Sequence, residues 1–297
     1  MFLVEQIIKL KNMENEKELY TNLIPYLNCK DYTVSGDGFE VMKNQKYKML
    51  VTSPVPADIE NYYKSENYIS HTDSKKTFFD KIYQTVKNKT LKQKLALLNS
   101  FNTKDKTLLD VGAGTGDFLK VCKNNNWLVS GIEPSLDARN IAEKKGVNLQ
   151  EDLTDFTNQK FDVITLWHVL EHVDNLKKTI KTLKSLLKKD GRIVVAVPNY
   201  KSCDAGYYKE HWAAYDVPRH LWHFSQCSIH KLFSEVEMIV DETLPMKFDS
   251  YYVSLLSEKY KTGKSNPLKA FYRGFVSNFH ARRTSEYSSL IYVIKNY

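Results

Sequence analysis

The chain has 297 residues, 42% of them hydrophobic and 26% charged, enough to bury a sizeable core in a globular protein of more than one domain. Its longest aliphatic run, Ile193 to Val197, is far shorter than the roughly 20 apolar residues of a spanning helix, so no membrane insertion is expected. The 43 basic and 35 acidic residues leave a net charge of +8, but the lysines are spread along predicted helix faces without a block of like charge, so they read as solvated surface and give no strong nucleic-acid signal.

The opening MFLVEQIIKLKN carries Glu5 and Lys9 inside its apolar stretch and does not read as a secretory signal. Four cysteines, Cys29, Cys122, Cys203 and Cys227, form no CxxC pair, which suits a reducing, cytoplasmic setting. Residues 26 to 56 are turn-rich and strand-like, with SGDG at Ser35 to Gly38 between two segments able to pair as a hairpin. After the tyrosine-rich NYYKSENYIS, Ser74 is placed to cap a helix whose Phe78, Ile82, Val86, Leu91, Leu95 and Leu98 form one apolar stripe.

From Lys106 the pattern changes. TLLDV, WLVSGIE, KFDVITLW and RIVVAV have the length and branched composition of strands buried on both faces, separated by helix-length segments, which predicts a parallel α/β sheet. The helix before RIVVAV sets Val173, Leu176, Ile180, Leu183 and Leu187 on one side and is expected to stop at Asp190 and Gly191. Two later segments, Met238 to Phe248 and Tyr287 to Ile294, read as further strands with helices between them. The boundaries drawn are an N-terminal β module over 1–73, a linking helix over 74–105, an α/β core over 106–249 and C-terminal helices with a last strand over 250–297.

The most informative string is LLDVGAGTGDFL. Gly112, Gly114 and Gly116 follow a buried strand and precede a helix, so backbone can approach a ligand beside a helix N-terminus. The spacing is DxGxGxG, whereas a dinucleotide fold prefers GxGxxG, which disfavours a nicotinamide dehydrogenase. Glu133 ends the next strand, and a carboxylate there can accept hydrogen bonds from both hydroxyls of a ribose. Asp152 and Leu153, where the following strand should end, could receive an adenine.

Together, DVGAGTG, GIEPS, EDL, FDVITLWHVLEHV and GRIVVAVPN resemble the successive motifs of class I S-adenosylmethionine-dependent methyltransferases, in the branch similar to ubiquinone and menaquinone biosynthesis enzymes. The resemblance covers roughly Leu95 to Asp241. It implies a Rossmann-like, seven-stranded, mostly parallel sheet with helices on both faces. It also implies S-adenosylmethionine as cofactor and S-adenosylhomocysteine as product. Carried over, Asp110, Gly112, Ala113, Gly114 and Gly116 would line the methionine end, Glu133 with Pro134 behind it the ribose, Asp152 and Leu153 the adenine, and Trp167 and His168 the sulfonium. Methyl transfer is an in-line displacement for which no metal is needed.

The proton-handling residue is less determined. His168 and His172 lie four apart around an expected helix start, on nearly one face, and either could deprotonate a hydroxyl or enol; a structural turn is the other reading. HWAAYDVPRHLWHFS gathers His211, Trp212, Tyr215, Asp216, Arg219, His220 and His223, a density of rings and charge that suits an acceptor-pocket wall. There Tyr215, Arg219 and His220 are catalytic candidates, with Arg219 offering a fork to a phosphate or carboxylate, or else a salt bridge to Asp216.

The N-terminal module resembles an eroded zinc ribbon in which Cys29 remains while Tyr26, Asn44 and Tyr47 stand at the other thiolate positions; one thiolate cannot hold structural zinc, so a metal-free module is expected. The expected partner is a small-molecule acceptor methylated at oxygen or carbon, with a homodimer left open. A silent cofactor-binding protein and an RNA methyltransferase are the alternatives, the latter disfavoured because LWHVLEH replaces the Asn- or Asp-Pro-Pro-aromatic turn expected of amide- or base-nitrogen enzymes.

Overall fold

The computed structural model describes residues 16–63 and 78–297, with side chains from residue 84 onward in the second segment. The opening twelve residues, Ser74, and the side chains of Phe78 and Ile82 lie outside the described residues. Strands β1 (Leu23–Lys30), β2 (Gly38–Asn44) and β3 (Met49–Ser53) pair antiparallel in sequence order. The hairpin expected around SGDG is the β1–β2 connection, where the Asp31 carboxylate accepts the N–H groups of Thr33 and Ser35, each at 2.9 Å. Helix α1 (Phe78–Ser100) packs Leu91, Leu95 and buried Leu98 against Leu108, Phe118 and Val163 of the α/β core.

The expected α/β alternation follows: β4 (Thr107–Val111), α2 (Asp117–Lys123), β5 (Leu128–Ile132), α3 (Leu136–Lys144), β6 (Phe161–Trp167), α4 (Leu176–Leu186) and β7 (Leu187–Pro198). β4 pairs with β5 and β6, and β6 with β7, all parallel. Beyond come α5 (Cys203–Tyr208), β8 (Trp222–His223), α6 (Gln226–Ser234), β9 (Met238–Pro245), α7 (Asp249–Thr262), α8 (Pro267–Thr284) and β10 (Ser289–Asn296). β10 inserts antiparallel between β7 and β9, giving the order β5-β4-β6-β7-β10-β9. Among the described residues no helix is long and apolar enough to cross a membrane.

Two expectations are corrected. The large sheet has six strands rather than seven. The missing edge strand shrinks to one bridge between Ile132 and Gln150: Gln150 N–H donates to Gly131 O at 2.9 Å and Glu133 N–H to Gln150 O at 3.0 Å. Asp152 then caps a 3-10 turn, which ends the pairing. The second correction concerns α4, which stops at Leu186 rather than at Asp190 and Gly191. Leu187 already pairs with Phe161, and the next matched pair is Val163 with Arg192, so Lys188 to Gly191 bulge out of β7. Leu187 is buried as a strand residue just as it would be on the apolar stripe of a longer helix.

The N-terminal strands share the core of the large sheet. Leu19, Tyr47, Met49 and Val51 belong to one buried cluster with Leu109, Ile164 and Val195. β8 extends the small sheet from far along the chain, Val51 facing Trp222 and Leu50 facing His223. The Trp222 indole N–H donates to Val173 O at 2.7 Å, locking the module to the loop before α4. The eroded zinc positions do not converge. Cys29 lies opposite Phe39 at one end of the β1–β2 ladder and Asn44 opposite Leu23 at the other. Asn44 accepts the Tyr47 N–H at 3.0 Å, while the Tyr47 hydroxyl sits 2.7 Å from both Glu18 and Glu235.

Candidate functional site

After β4 the chain turns through Gly112 (φ +71°), Gly114 (φ +54°) and Gly116 (φ +74°) into α2. A Cβ on Gly112 would stand 2.4 Å from Val169 Cγ2, whereas one on Gly114 would meet nothing within 4 Å. The first glycine is therefore a packing requirement, and the second leaves backbone open to a ligand. Gly112→Ala combines that overlap with left-handed strain and is expected to cost about 2 kcal/mol or more in a thermal melt; an unchanged melt would contradict the packing described.

Glu133, directly after β5, closes the other side. Its Oε2 accepts the Gly114 N–H at 2.8 Å and its Oε1 the Ser135 N–H at 3.0 Å. Arg139 fixes the bend by donating to Glu133 O and to O of exposed Pro134, at 2.7 and 2.8 Å. Ala113 N–H is held by Ile132 O at 2.8 Å. Asp152 is exposed and accepts the Thr154 N–H at 2.8 Å, while Leu153 leans on the main core.

Asp110 is buried beneath the loop and accepts the Thr165 hydroxyl at 2.5 Å. Burial pushes its carboxyl up to about 7, against the opposing pull of Thr165 and Lys94. Lys94 on α1 is the facing cation; burial pushes it down to about 8, opposed by Asp110 and Asp249. Its Nζ lies 4.1 Å from the centroid of the Trp167 ring, so that ring already faces a cation. The Trp167 indole nitrogen is buried without a hydrogen-bond partner among the described residues. Sequence reasoning missed Lys94, although it falls three residues after Leu91 and four before Leu98, on the buried side of the helix.

The histidine segment differs from the expected helix face. Residues 168–174 form turns, α4 begins only at Leu176, and His168 has φ +57° with its N–H on Ala196 O at 2.9 Å. His168 Nδ1 lies 3.2 Å from Glu171 and Nε2 3.1 Å from Asp249. Burial by itself would lower its pKa, but the two carboxylates outweigh it and hold the ring up at about 10. It is therefore an imidazolium at neutral pH, unable to take a proton. His172 goes the other way, pushed down to about 4 by burial and by His220. Its Nδ1 is 3.1 Å from Arg219 O, that of His220 is 2.9 Å from Ala214 O, and the two rings are 4.5 Å apart.

The remaining candidates sit in the interior. The Arg219 guanidinium is fully buried, 2.9 Å from Asp31 and 2.6 Å from Asp216, with Nη1 on Tyr62 O at 3.0 Å. The structure therefore contains the salt bridge to Asp216, and it extends to the N-terminal hairpin. Tyr215 is buried edge-on against Trp212 and His223, and burial raises its hydroxyl far above the usual range. Ser277, on the C-terminal helix pair, donates to buried Asp204 at 2.6 Å, which also takes the Trp212 indole N–H at 2.8 Å. A cavity of about 190 Å³ opens between α1 and the start of α7, lined by Gln93, Lys94, Leu97, Leu244, Phe248 and Asp249 among others. It reaches the site through Lys94, which faces Asp110, and through Asp249, which holds His168.

A mostly parallel sheet with helices packed around it, and a glycine loop and an acid at the tips of adjacent strands, defines an α/β protein of the Rossmann-like class. Residues 79–238, more than half of the chain, match the family model described as a methyltransferase domain, and the chain belongs to that family. Over 108 residues it is 35% identical to the ubiquinone biosynthesis O-methyltransferase of Glaesserella parasuis serovar 5, covering 32% of this chain and 46% of that protein. The chain spans about half the length of the curated relatives it matches. Among solved structures, magnesium protoporphyrin IX methyltransferase from Synechocystis PCC 6803 shares the fold with a TM-score of 0.54 at 15% identity, over 80% of this chain and 98% of that one. Geranyl diphosphate C-methyltransferase from Streptomyces coelicolor A3(2) does so with a TM-score of 0.53 at 14% identity, over 76% and 86%.

Proposed function

We propose that this protein binds S-adenosylmethionine in the crevice at the tips of β4 and β5 and transfers its methyl group to an oxygen or carbon of a small-molecule acceptor. The observation that carries the reading is the Glu133 carboxylate bonded to Gly114 N–H, where the loop has open space above it. Bound there, the cofactor supplies an electrophilic methyl on a cationic sulfur. Glu133 accepts the two ribose hydroxyls. Asp110 receives the methionine ammonium and Lys94 the carboxylate, while the Trp167 ring borders the sulfonium, and this chemistry fits the buried acid, half-buried lysine and cation-facing indole found here. Asp152 and Leu153 border the adenine.

The acceptor enters through the cavity beside Lys94 and Asp249. Holding both partners aligned and away from water can supply roughly 7 to 11 kcal/mol of barrier reduction. His168, held charged by Asp249 and Glu171, donates a hydrogen bond rather than accepting a proton. The O-methyltransferase name of the ubiquinone-pathway relative supports oxygen as the receiving atom. Four unpaired cysteines support a reducing, cytoplasmic setting.

Incubation with the cofactor and a panel of phenols, enols and sugar hydroxyls is expected to release S-adenosylhomocysteine with at least one of them. Tight cofactor binding with no release from the whole panel would replace the transferase with a binding protein. A pH profile follows from the same groups. Asp110 must be ionised, which happens as pH rises through about 7, and Lys94 must be charged, which is lost as pH rises through about 8. Affinity for S-adenosylhomocysteine is therefore expected to peak between these values and fall toward tenfold per pH unit on either side. Tryptophan fluorescence titrations across that range check it, and a flat profile would remove Asp110 and Lys94 from the cofactor's grip.

A further inference from the structure

Glu171, His172 and His220 each offer one potential ligand atom, the three atoms lying within 4.8 Å of one another. The donors come from separate parts of the chain: Glu171 and His172 from the turn after β6, His220 from the loop before β8. The Nδ1 atoms of both rings lie against backbone carbonyls, Arg219 O for His172 and Ala214 O for His220. A carbonyl only accepts, so each Nδ1 carries a proton, which leaves Nε2 as the nitrogen available to bind a metal. That outer hydrogen bond on the far ring nitrogen is the usual device for orienting an imidazole toward a metal. Glu171 is fully buried; its Oε1 is engaged by His168, but its Oε2 has no hydrogen-bond partner among the described residues. A buried carboxylate oxygen left without a partner costs about 1–3 kcal/mol or more unless something fills its lone pairs.

The geometry points to a binding site for one divalent transition-metal ion, held by Glu171, His172 Nε2 and His220 Nε2. Two neutral imidazoles and one carboxylate are the donor set of open zinc and iron(II) sites, in which further positions stay free for water or an oxygen of a bound molecule. Magnesium and calcium, which prefer all-oxygen ligands, fit it poorly. Leu221 N–H is tied back to Glu171 O at 2.8 Å, a bond that holds the two ligand-bearing loops together. The site adjoins the proposed methyl-transfer crevice through His168, which Glu171 Oε1 engages at 3.2 Å, but its ligands are argued without the methyl-transfer reading.

The test uses the full chain, stripped with a chelator and titrated with Zn²⁺ by calorimetry and with Co²⁺ by visible absorption. One equivalent is expected to bind, with the absorption bands of a low-coordinate Co²⁺ centre. His220→Ala should weaken binding at least 100-fold, whereas His230→Ala, at an exposed position on α6, should leave it unchanged. Glu171→Gln, which keeps the side-chain shape, should weaken it at least tenfold; circular dichroism establishes that each variant is folded. Absence of stoichiometric binding by the wild type would overturn the proposal. So would equal binding by folded His220→Ala or Glu171→Gln. Titration of the same preparation with S-adenosylhomocysteine reports the methyltransferase reading separately, so failure of one is distinguishable from failure of the other.

Discussion

Glu133→Ala is expected to weaken S-adenosylhomocysteine binding by about 100-fold or more, measured by equilibrium dialysis, while the fold survives. The half-buried carboxylate takes two backbone N–H groups in the free protein, at Gly114 and Ser135. Water can replace the carboxylate at both, so the cost to stability is about 1–2 kcal/mol. The complex loses more. Two hydroxyls donating to a charged acceptor are worth about 1.5–3 kcal/mol each, and about 3 kcal/mol in total already corresponds to more than 100-fold. Glu133→Gln, which keeps one oxygen but turns an NH₂ toward the second hydroxyl, should fall between. Binding by Glu133→Ala within twofold of wild type would show that the acid does not hold the ribose.

Arg219→Met should lower stability by about 3–5 kcal/mol, the range for removing one partner of a buried ion pair. The guanidinium, with no exposed surface, satisfies fully buried Asp31 and partly exposed Asp216 at once and also donates to Tyr62 O. Without it the Asp31 charge is stranded beside the β1–β2 turn. At the scale of a large domain this is a fall of roughly 10 °C in melting temperature. Adding Asp31→Asn removes the stranded charge and should restore part of the loss; Arg219→Lys should not, because a point charge cannot span both carboxylates. If Arg219→Met instead melted like wild type and raised only the Michaelis constant for an acceptor, the residue would be a substrate ligand after all.

What the sequence made legible, and what it hid, follows from the range of each signal. TLLDV, KFDVITLW and RIVVAV announce themselves because a strand buried on both faces has no room for alternation; WLVSGIE became a parallel strand too, but at the sheet's edge with Leu128 exposed, so its expected burial on both faces is corrected. The glycine loop and Glu133 were legible as spacing. Strand boundaries were not: Leu187 serves a helix stripe and a strand equally well, and only its pairing with Phe161 decides. The edge strand at Gln150 failed because pairing energy comes from a neighbour, and Asp152 offered its segment a competing turn. Lys94 was hidden because a lysine in an amphipathic helix is ordinarily solvated; here it faces the buried acid Asp110. Arg219 was legible as a charge with a nearby acid, but Asp31, 188 residues away in sequence, could not be.

The most direct measurement is a calorimetric titration of the full chain with S-adenosylhomocysteine near pH 7.5. One molecule per chain, bound with a dissociation constant on the order of micromolar, is the expected result. No heat of binding up to millimolar ligand, from protein shown to be folded, would contradict the account at its root.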